Sequence, residues 1–315
     1  VIGALPFVLS GEIPFFVDAL FETVSGFTTT GATILSDVEA LSHASMLWRC
    51  LTHWVGGMGV LVFMLIVLPL AGGQTIVLMR AESPGPSVSK MSPHMRDTAT
   101  ILYAIYFGLT VLQMLLLLIG GMPFFDAVCV SLGTAGTGGF GNWNDSIAHY
   151  NSAYLQNVIT VFMILFGINF SAYFLILTRK FRQAFRIEEI RVYLGVIFVF
   201  AGLIAFNVRP MFGSLRESFH HALFQVASII TTTGYSTTDF DLWPGFSRTI
   251  LVCLMFIGAC AGSTGGGIKV SRVAIAVKTV NKELSSLIHP RNVKVLKYEG
   301  KAIEHTVLRS INTYL

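Results

Sequence analysis

Five long stretches of this sequence contain no Asp, Glu, Lys or Arg, and this feature limits the possible folds more than any other. The stretches cover residues 50–79, 99–125, 146–178, 192–208 and 249–268. Most of them reach the ~20 residues that a helix needs to cross the hydrocarbon core of a bilayer. Charged residues make up only 12% of the 315, against roughly 25% in an ordinary soluble domain. The sequence therefore predicts an all-α membrane protein.

Three shorter apolar segments, at 15–26, 124–134 and 219–230, cannot cross a membrane and end in turns rich in threonine and glycine. The turn residues are Thr28, Thr29, Thr30 and Gly31 in the first, Gly136, Thr137, Gly138 and Gly139 in the second, and Thr231, Thr232, Thr233 and Gly234 in the third. An alanine stands twelve residues before the last glycine in each case, namely Ala19, Ala127 and Ala222. Equal spacing at three places indicates a repeat of helix, re-entrant pore loop and helix.

The repeat predicts three pore units joined by polar linkers. We expect the first unit at 1–78, with its first helix mostly missing, the second at 99–178 and the third at 192–280. Linkers fall at 79–98 and 179–191, and 281–315 holds a further linker and the start of a fourth unit. The chain is thus expected to be a fragment, cut at both ends.

The distribution of charge indicates which side of the membrane each loop faces. Sixteen of the 21 Lys and Arg residues fall within 80–98, 179–191 and 269–301, and an excess of basic residues marks cytoplasmic loops. Ten acidic residues, among them Glu22, Asp37 and Asp126, belong to the opposite side. We therefore expect the pore loops to enter from outside, behind an acidic mouth that concentrates cations.

The chemistry of the three turns is suited to a monovalent cation. A half-length helix carries roughly half a negative charge at its C-terminal end, and threonine adds carbonyl and hydroxyl oxygens. Glycine permits left-handed backbone, so that several carbonyls can face one axis and replace the hydration shell of an ion. A single turn of this kind could also be an ordinary helix C-cap, with glycines that help helices to pack. Three copies in one register favour the ion-binding interpretation.

A second glycine-rich segment interrupts the last long apolar stretch. Its residues are Gly262, Ser263, Thr264, Gly265, Gly266 and Gly267. Each glycine costs a helix interior about 1 kcal/mol relative to alanine, so we expect the helix to break there, and the broken segment to gate the pore. Close packing of small residues is the alternative. A phosphate-binding loop is rejected because Ile268 occupies the place of the required lysine.

The three turns, at 25–33, 133–140 and 230–236, resemble the first three pore loops of the Trk/Ktr/HKT potassium transporter superfamily, closest to its bacterial TrkH branch. The resemblance implies four units around one pore with pseudo-fourfold symmetry. In that superfamily a glycine at the filter position accompanies potassium permeation, and a serine in the first unit can accompany sodium preference. Gly31, Gly139 and Gly234 therefore imply potassium at the filter residues, and 262–267 corresponds to an intramembrane gating loop.

The resemblance also implies a location and partners. It predicts potassium uptake across the bacterial cytoplasmic membrane by a multi-pass protein, in contact with the lipid bilayer, that forms a homodimer with one pore per protomer. A cytosolic nucleotide-binding subunit of the TrkA kind would regulate it. We expect K+ and Rb+ as transported ions, with Na+ as a further candidate, and neither an organic cofactor nor a nucleic-acid partner.

Two rival interpretations stay open, and neither is an enzyme. The chain could be the ion-binding subunit of an ATP-driven potassium pump, or a non-transporting membrane scaffold. The sequence contains neither a convergent set of nucleophile, base and orienting group nor a metal-ligand motif such as His-Glu-x-x-His.

Several polar residues within or beside the apolar stretches have no role that the sequence alone decides. We expect His53 to make helix contacts and His220 to be a neutral interfacial residue. Asn157 and Asn169 could face the pore or join two helices through their amides. Lys269 could bind lipid headgroups or couple the gate to a cytosolic partner.

Overall fold

The computed structural model describes residues 1–70, 95–289, 296–299 and 301–303, and within them the fold is almost entirely helical. The helices are α1 (Leu5–Leu9), α2 (Phe16–Phe27), α3 (His43–Leu70), α4 (Met95–Ile119), α5 (Phe124–Gly136), α6 (Ala153–Phe166), α7 (Phe170–Leu177), α8 (Phe181–Ala184), α9 (Glu188–Phe212), α10 (Leu215–Ile230), α11 (Gly245–Phe256) and α12 (Val270–Ile288). Short 3-10 helices occupy Ile2–Ala4, Ser146–His149 and Phe240–Leu242. Strands β1 (Lys297–Tyr298) and β2 (Lys301–Ala302) pair antiparallel. The predicted all-α class is confirmed.

The three predicted half-length segments form α2, α5 and α10, which have 12, 13 and 16 residues. At 1.5 Å of rise per residue they are about 18–24 Å long, shorter than the ~30 Å hydrocarbon core of a bilayer. Each is followed by a threonine- and glycine-rich turn. The predicted alternation of long helices and half-length helices is therefore present.

Two helical segments of the described chain, Thr100–Ile119 and Glu188–Phe212, are long and apolar enough to cross a membrane. The number rises to three if α6 and α7, which meet at a bend of 93°, are counted as one broken span. The α3 helix extends over most of the charge-free stretch at 50–79 and is described as far as Leu70. Residues 71–79 of that stretch lie outside the described residues, as do most of the predicted linker at 79–98 and of the segment 290–315.

The predicted continuous span at 154–177 is wrong, because the helix breaks between α6 and α7. Asn169 starts α7 by accepting a 2.8 Å hydrogen bond from the N–H of Ser171. The freed main-chain groups pair with the glycine-rich segment, since Gly167 O accepts from Cys260 N and Phe170 N donates to Gly262 O, both at 3.0 Å. Backbone at membrane depth can leave the helix only when another part of the protein satisfies its polar groups.

The predicted break in the last apolar stretch is confirmed, since α11 ends at Phe256 and α12 begins at Val270. Between them the chain forms a closed loop in which Gly258 N donates to Ile268 O at 2.8 Å. Gly262 and Gly267 adopt positive φ angles of 71° and 72°. The low helix propensity of a glycine run accounts for this break.

Neighbouring units pack in the same way, which places their turns side by side. The last helix of the first unit, α3, packs against α5 of the second unit, and α6 of the second unit packs against α10 of the third. Leu117, Ile159, Phe224 and Tyr235 lie in one buried apolar cluster between the second and third units. A larger cluster joins α9, α10 and α11 within the third unit.

Candidate ion-binding loops and gate segment

The three turns share one backbone conformation. Equivalent threonines have left-handed φ angles, namely 55° at Thr29, 54° at Thr137 and 58° at Thr232. The glycines two residues later are also left-handed, with φ of 77° at Gly31, 80° at Gly139 and 86° at Gly234. A left-handed residue other than glycine costs roughly 1–2 kcal/mol. Its recurrence at three equivalent places indicates that the surroundings of each turn impose this conformation.

The hydrogen bonds that end each half-length helix repeat as well. The N–H groups of Thr30, Gly138 and Thr233 donate to the carbonyl groups five residues earlier, at 2.9, 3.1 and 2.9 Å. This is the wide hydrogen bond of a Schellman C-cap. Beyond it, the hydroxyls of Thr137 and Thr232 donate to the preceding carbonyls at 2.7 and 2.6 Å. Sequence spacing predicted the register, and the hydrogen bonds give it a common geometry.

Successive turns touch each other in the same register. A Cβ atom added to Gly31 would overlap the carbonyl oxygen of Gly138, and one added to Gly139 would overlap the carbonyl oxygen of Thr233. In both pairs a glycine of one turn meets the residue that precedes the equivalent glycine of the next turn. A Cβ on Gly234 would meet nothing within 4 Å in the described chain. Successive turns are therefore in direct contact with one another, in chain order.

A serine hydroxyl supports the first and third turns from behind. Ser25 Oγ donates to Ala32 O, and Ser228 Oγ donates to Tyr235 O, both at 2.6 Å. The second turn has Gly133 at this position, where a Cβ would collide with the Tyr235 hydroxyl. That hydroxyl reaches across from the third turn to Phe140 O at 3.1 Å. The exchange of serine for glycine thus lets one turn support its neighbour.

His53 lies between the first and second turns, a position that the sequence did not predict. Its side chain is fully buried, and Nδ1 is 2.8 Å from the carbonyl oxygen of Gly26. The ring stacks on Phe140 with 3.9 Å between centroids. A Cβ on Gly138 would overlap the ring. His53 makes contacts inside the protein, as expected, but the residues that it contacts belong to two pore loops.

Glu22 does not belong to the outer mouth, contrary to the expectation. It is 1% exposed and pairs with the equally buried Arg49, with 2.5 Å between Oε1 and Nε. Thr33 donates to the same carboxylate at 2.9 Å, and the Arg49 guanidinium lies 3.6 Å from the centre of the Phe140 ring. Because a buried charge needs a partner, this pair stabilises the interior of the first unit, and Arg49 also contacts Phe140 of the second unit.

Asp126 is also buried, and it too was wrongly assigned to the mouth. Its carboxylate accepts hydrogen bonds from Tyr150 Oη and Asn142 Nδ2, both at 2.7 Å. Asp37, in contrast, lies on the exposed outer surface as expected. Asn144 Nδ2 donates to it at 2.7 Å, and this hydrogen bond holds the pKa of Asp37 below its ordinary value. Its carboxylate is therefore charged over the whole physiological pH range.

The glycine-rich segment fills the break between α6 and α7. Besides the two main-chain bonds described above, Thr264 Oγ1 donates to Phe166 O at 3.3 Å. Asn169 lies beside the segment as well, with Oδ1 3.3 Å from a Cβ built on Gly262. Asn157 instead lies at a helix contact, where its Oδ1 is 3.1 Å from Nδ1 of His220. Of the two amides, only Asn169 contacts a candidate site.

The same segment also contacts the third turn directly. The N–H of Gly266 donates to Thr232 Oγ1 at 2.8 Å, and a Cβ built on Gly265 would lie 3.1 Å from the carbonyl oxygen of Thr231. Lys269 Nζ donates to Gly265 O, so this lysine binds the segment itself. The predicted filter and gate residues of the third unit are thus in hydrogen-bonding contact.

Glu189, in the first turn of α9, is a further contact that the sequence did not reveal. Its carboxylate is 4% exposed and accepts a 2.7 Å hydrogen bond from the N–H of Ala261, the residue before the glycine-rich segment. In the sequence it belongs to a charged stretch, 179–191, which gives no indication of burial.

Comparisons with known proteins match this architecture over nearly the whole chain. The model of the TrkH family, described as a cation transport protein, matches residues 1–313. The TrkH potassium uptake protein of Salmonella typhimurium is 38% identical over 98% of this chain and 65% of its own length. The TrkG protein of Escherichia coli is 35% identical over 99% of this chain and 65% of its own.

A solved structure has the same fold. The potassium transporter TrkH from Vibrio parahaemolyticus superposes with a TM-score of 0.87 at 30% identity, over 99% of this chain and 65% of that one. The chain therefore spans 65% of the length of these relatives. It is a multi-pass protein of the bacterial cytoplasmic membrane. The family consists of transport proteins and not of enzymes. On the family match and the shared fold, this chain belongs to the TrkH family of cation transport proteins.

Proposed function

We propose that the full-length protein takes up potassium through a central pore, and that the turns ending α2, α5 and α10 form three quarters of its selectivity filter. The proposal rests on the relatives, which are potassium uptake proteins and a potassium transporter. It also rests on the geometry of the turns. A fourth equivalent turn, from beyond the described residues, would close the ring.

The single observation that carries the proposal is the contact between successive turns. Gly31 faces the carbonyl oxygen of Gly138, and Gly139 faces that of Thr233, so no side chain separates the main chains. Main-chain carbonyl and hydroxyl oxygens that lie close together are the ligands that replace the hydration shell of K+. The negative ends of the three half-length helices favour a cation at the same place.

The glycine-rich segment 262–267 is proposed to be the gate. It lies against the third turn and fills a break in the neighbouring unit. It has little side-chain bulk, its main chain exchanges hydrogen bonds with α7 and the third turn, and its Thr264 hydroxyl donates to α6. A segment held by a few such bonds can be displaced at a modest free-energy cost.

Two assemblies are also part of the proposal. Resemblance to the superfamily supports a homodimer with one pore per protomer and a regulatory nucleotide-binding subunit of the TrkA kind on the cytoplasmic side. The basic residues concentrated on that side offer a surface for such a subunit. Rb+ would permeate with K+, and Na+ would permeate less well.

The test is ion flux into liposomes that contain the purified full-length protein. We expect uptake of radioactive Rb+ down its gradient, inhibited by external K+ much more strongly than by equal concentrations of Na+ or choline. No Rb+ uptake, either alone or with the cytosolic subunit present, would contradict the proposed function. Uptake that all three external cations inhibit equally would contradict the filter.

A further inference from the structure

We propose that Glu189 is the latch that holds the gate segment in its blocking position. The proposal deepens the function proposed above and depends on it. Glu189 is not part of the filter or of the glycine-rich segment. Its effect on transport would come chiefly from the hydrogen bond between its carboxylate and Ala261 N–H.

A carboxylate is costly to place at the buried position of Glu189. Glu189 is 4% exposed, and a buried charge is strongly unfavourable unless it is paired and hydrogen-bonded. Its 2.7 Å bond goes to a main-chain N–H that directly precedes Gly262. A hydrogen bond to a charged acceptor is stronger than one between neutral groups. A short, buried hydrogen bond therefore holds the beginning of the gate.

A positive charge, on Lys269, binds the same segment at Gly265. Lys269 Nζ donates to the carbonyl oxygen of Gly265, and Lys269 also lies close enough to Glu189 for electrostatic attraction. The segment thus lies between a carboxylate that binds its N–H at Ala261 and an ammonium group that binds its carbonyl at Gly265. Both contacts break if the segment swings away.

Glu189 also lies next to contacts that reach the cytoplasmic end of the third unit. The adjacent Glu188 forms an ion pair with Lys278 of α12 and accepts a 3.3 Å hydrogen bond from Glu299 N, beside the β1–β2 hairpin. Lys278 also donates to Lys297 O at 3.1 Å. The first turn of α9 therefore contacts the gate through one glutamate and the cytoplasmic end of the unit through the next. Any movement of α12 relative to α9 would change the geometry of the latch.

The experiment compares four forms of the full-length protein in liposomes without the regulatory subunit: wild type, Glu189→Ala, Glu189→Gln and Glu283→Gln. We expect Glu189→Ala to raise basal Rb+ flux roughly tenfold or more, as loss of a hydrogen bond to a charged group implies. Glu189→Gln keeps a neutral acceptor of nearly the same shape, so its flux should rise only a fewfold. Glu283→Gln removes an exposed carboxylate on α12 and should leave basal flux unchanged.

The preference for K+ over Na+ separates a latch from a general structural role. Because Glu189 does not contact the filter turns in the proposed mechanism, the ratio of K+ to Na+ permeability should stay at its wild-type value in both Glu189 variants. Distortion of the third unit would change that ratio together with the flux.

Basal flux that is unchanged or lower in a folded Glu189→Ala protein, beside an active wild type, would overturn the latch. If Glu189→Ala does not fold, the two glutamine variants decide the question, and equal flux in Glu189→Gln and Glu283→Gln would overturn the latch. Absence of Rb+ flux in the wild type under every condition would contradict the proposed function, and the latch with it.

Discussion

The N–H of Gly266 donates a 2.8 Å hydrogen bond to the hydroxyl of Thr232, and that hydroxyl donates in turn to the carbonyl oxygen of Thr231. One side chain therefore joins the proposed gate to the proposed filter. Thr137 makes the same bond to the carbonyl before it, at 2.7 Å. The second and third turns thus share this hydroxyl orientation, and the third unit adds the contact with the gate.

Replacing Thr232 with Val should weaken the closed gate, because Val has the same shape but cannot accept the hydrogen bond from Gly266. Loss of one such bond is worth about 1 kcal/mol, so basal Rb+ flux should rise about fivefold. Thr232→Ser keeps the hydroxyl and should stay near the wild-type flux. Equal flux in the Val and Ser variants would show that this hydroxyl does not hold the gate.

Replacing Gly139 with Ala should sharply reduce Rb+ flux or its selectivity over Na+. Gly139 has a φ of 80°, and the added Cβ would overlap the carbonyl oxygen of Thr233 in the next turn. Gly141→Ala is the matched control, because its Cβ would make only an ordinary contact, 3.8 Å from Tyr235 Cε1. If the two alanine variants transport Rb+ and Na+ alike, the turns do not form the filter.

Replacing Arg49 with Met should lower the free energy of unfolding by about 3–5 kcal/mol, because it leaves the buried Glu22 carboxylate without its partner. Thermal unfolding in detergent would measure the change. Arg248→Met, at an exposed position, should stay within about 0.5 kcal/mol of the wild type. Adding Glu22→Gln to Arg49→Met should recover part of the loss. Similar stabilities for Arg49→Met and Arg248→Met would contradict the stabilising role of this buried pair.

Replacing Tyr235 with Phe should destabilise the second pore loop, because the buried carbonyl of Phe140 loses its 3.1 Å donor. An unsatisfied buried acceptor costs about 1–3 kcal/mol. Tyr154→Phe removes a hydroxyl that donates at 3.2 Å to Leu116 O from a 45% exposed side chain, so its cost should be smaller. Thermal unfolding would again measure both, and a larger loss in Tyr154→Phe would contradict the supporting role of Tyr235.

The helical architecture and the position of the three turns could be predicted from the sequence, because both follow from local pattern. Apolar length distinguishes a crossing helix from a half-length one, and the spacing from Ala19 to Gly31 recurs twice more. The glycine run likewise predicted where the last stretch breaks. Helix propensity and the thickness of the membrane constrain each short segment separately. The sequence of that segment is therefore enough to predict its structure.

The contacts between elements that are distant in the sequence could not be predicted, because they depend on which surfaces meet. Glu22 and Asp37 are both acids near the first turn, yet only Glu22 is buried, since only it faces Arg49. Gly167 and Asn169 are both tolerated within membrane helices, so neither predicts a break. The helix that contains them breaks where residues 258–268 provide hydrogen-bond partners for its main chain. Glu189 stands in a charged stretch of sequence that gives no sign of the gate beside it.

The most direct test of the central claim is an anomalous density map of the full-length protein crystallised with Rb+. The account predicts a peak on the pore axis, in contact with main-chain oxygens of the turns that contain Gly31, Gly139 and Gly234. A map with no peak between these turns, or with Rb+ only among the exposed outer carboxylates, would contradict it.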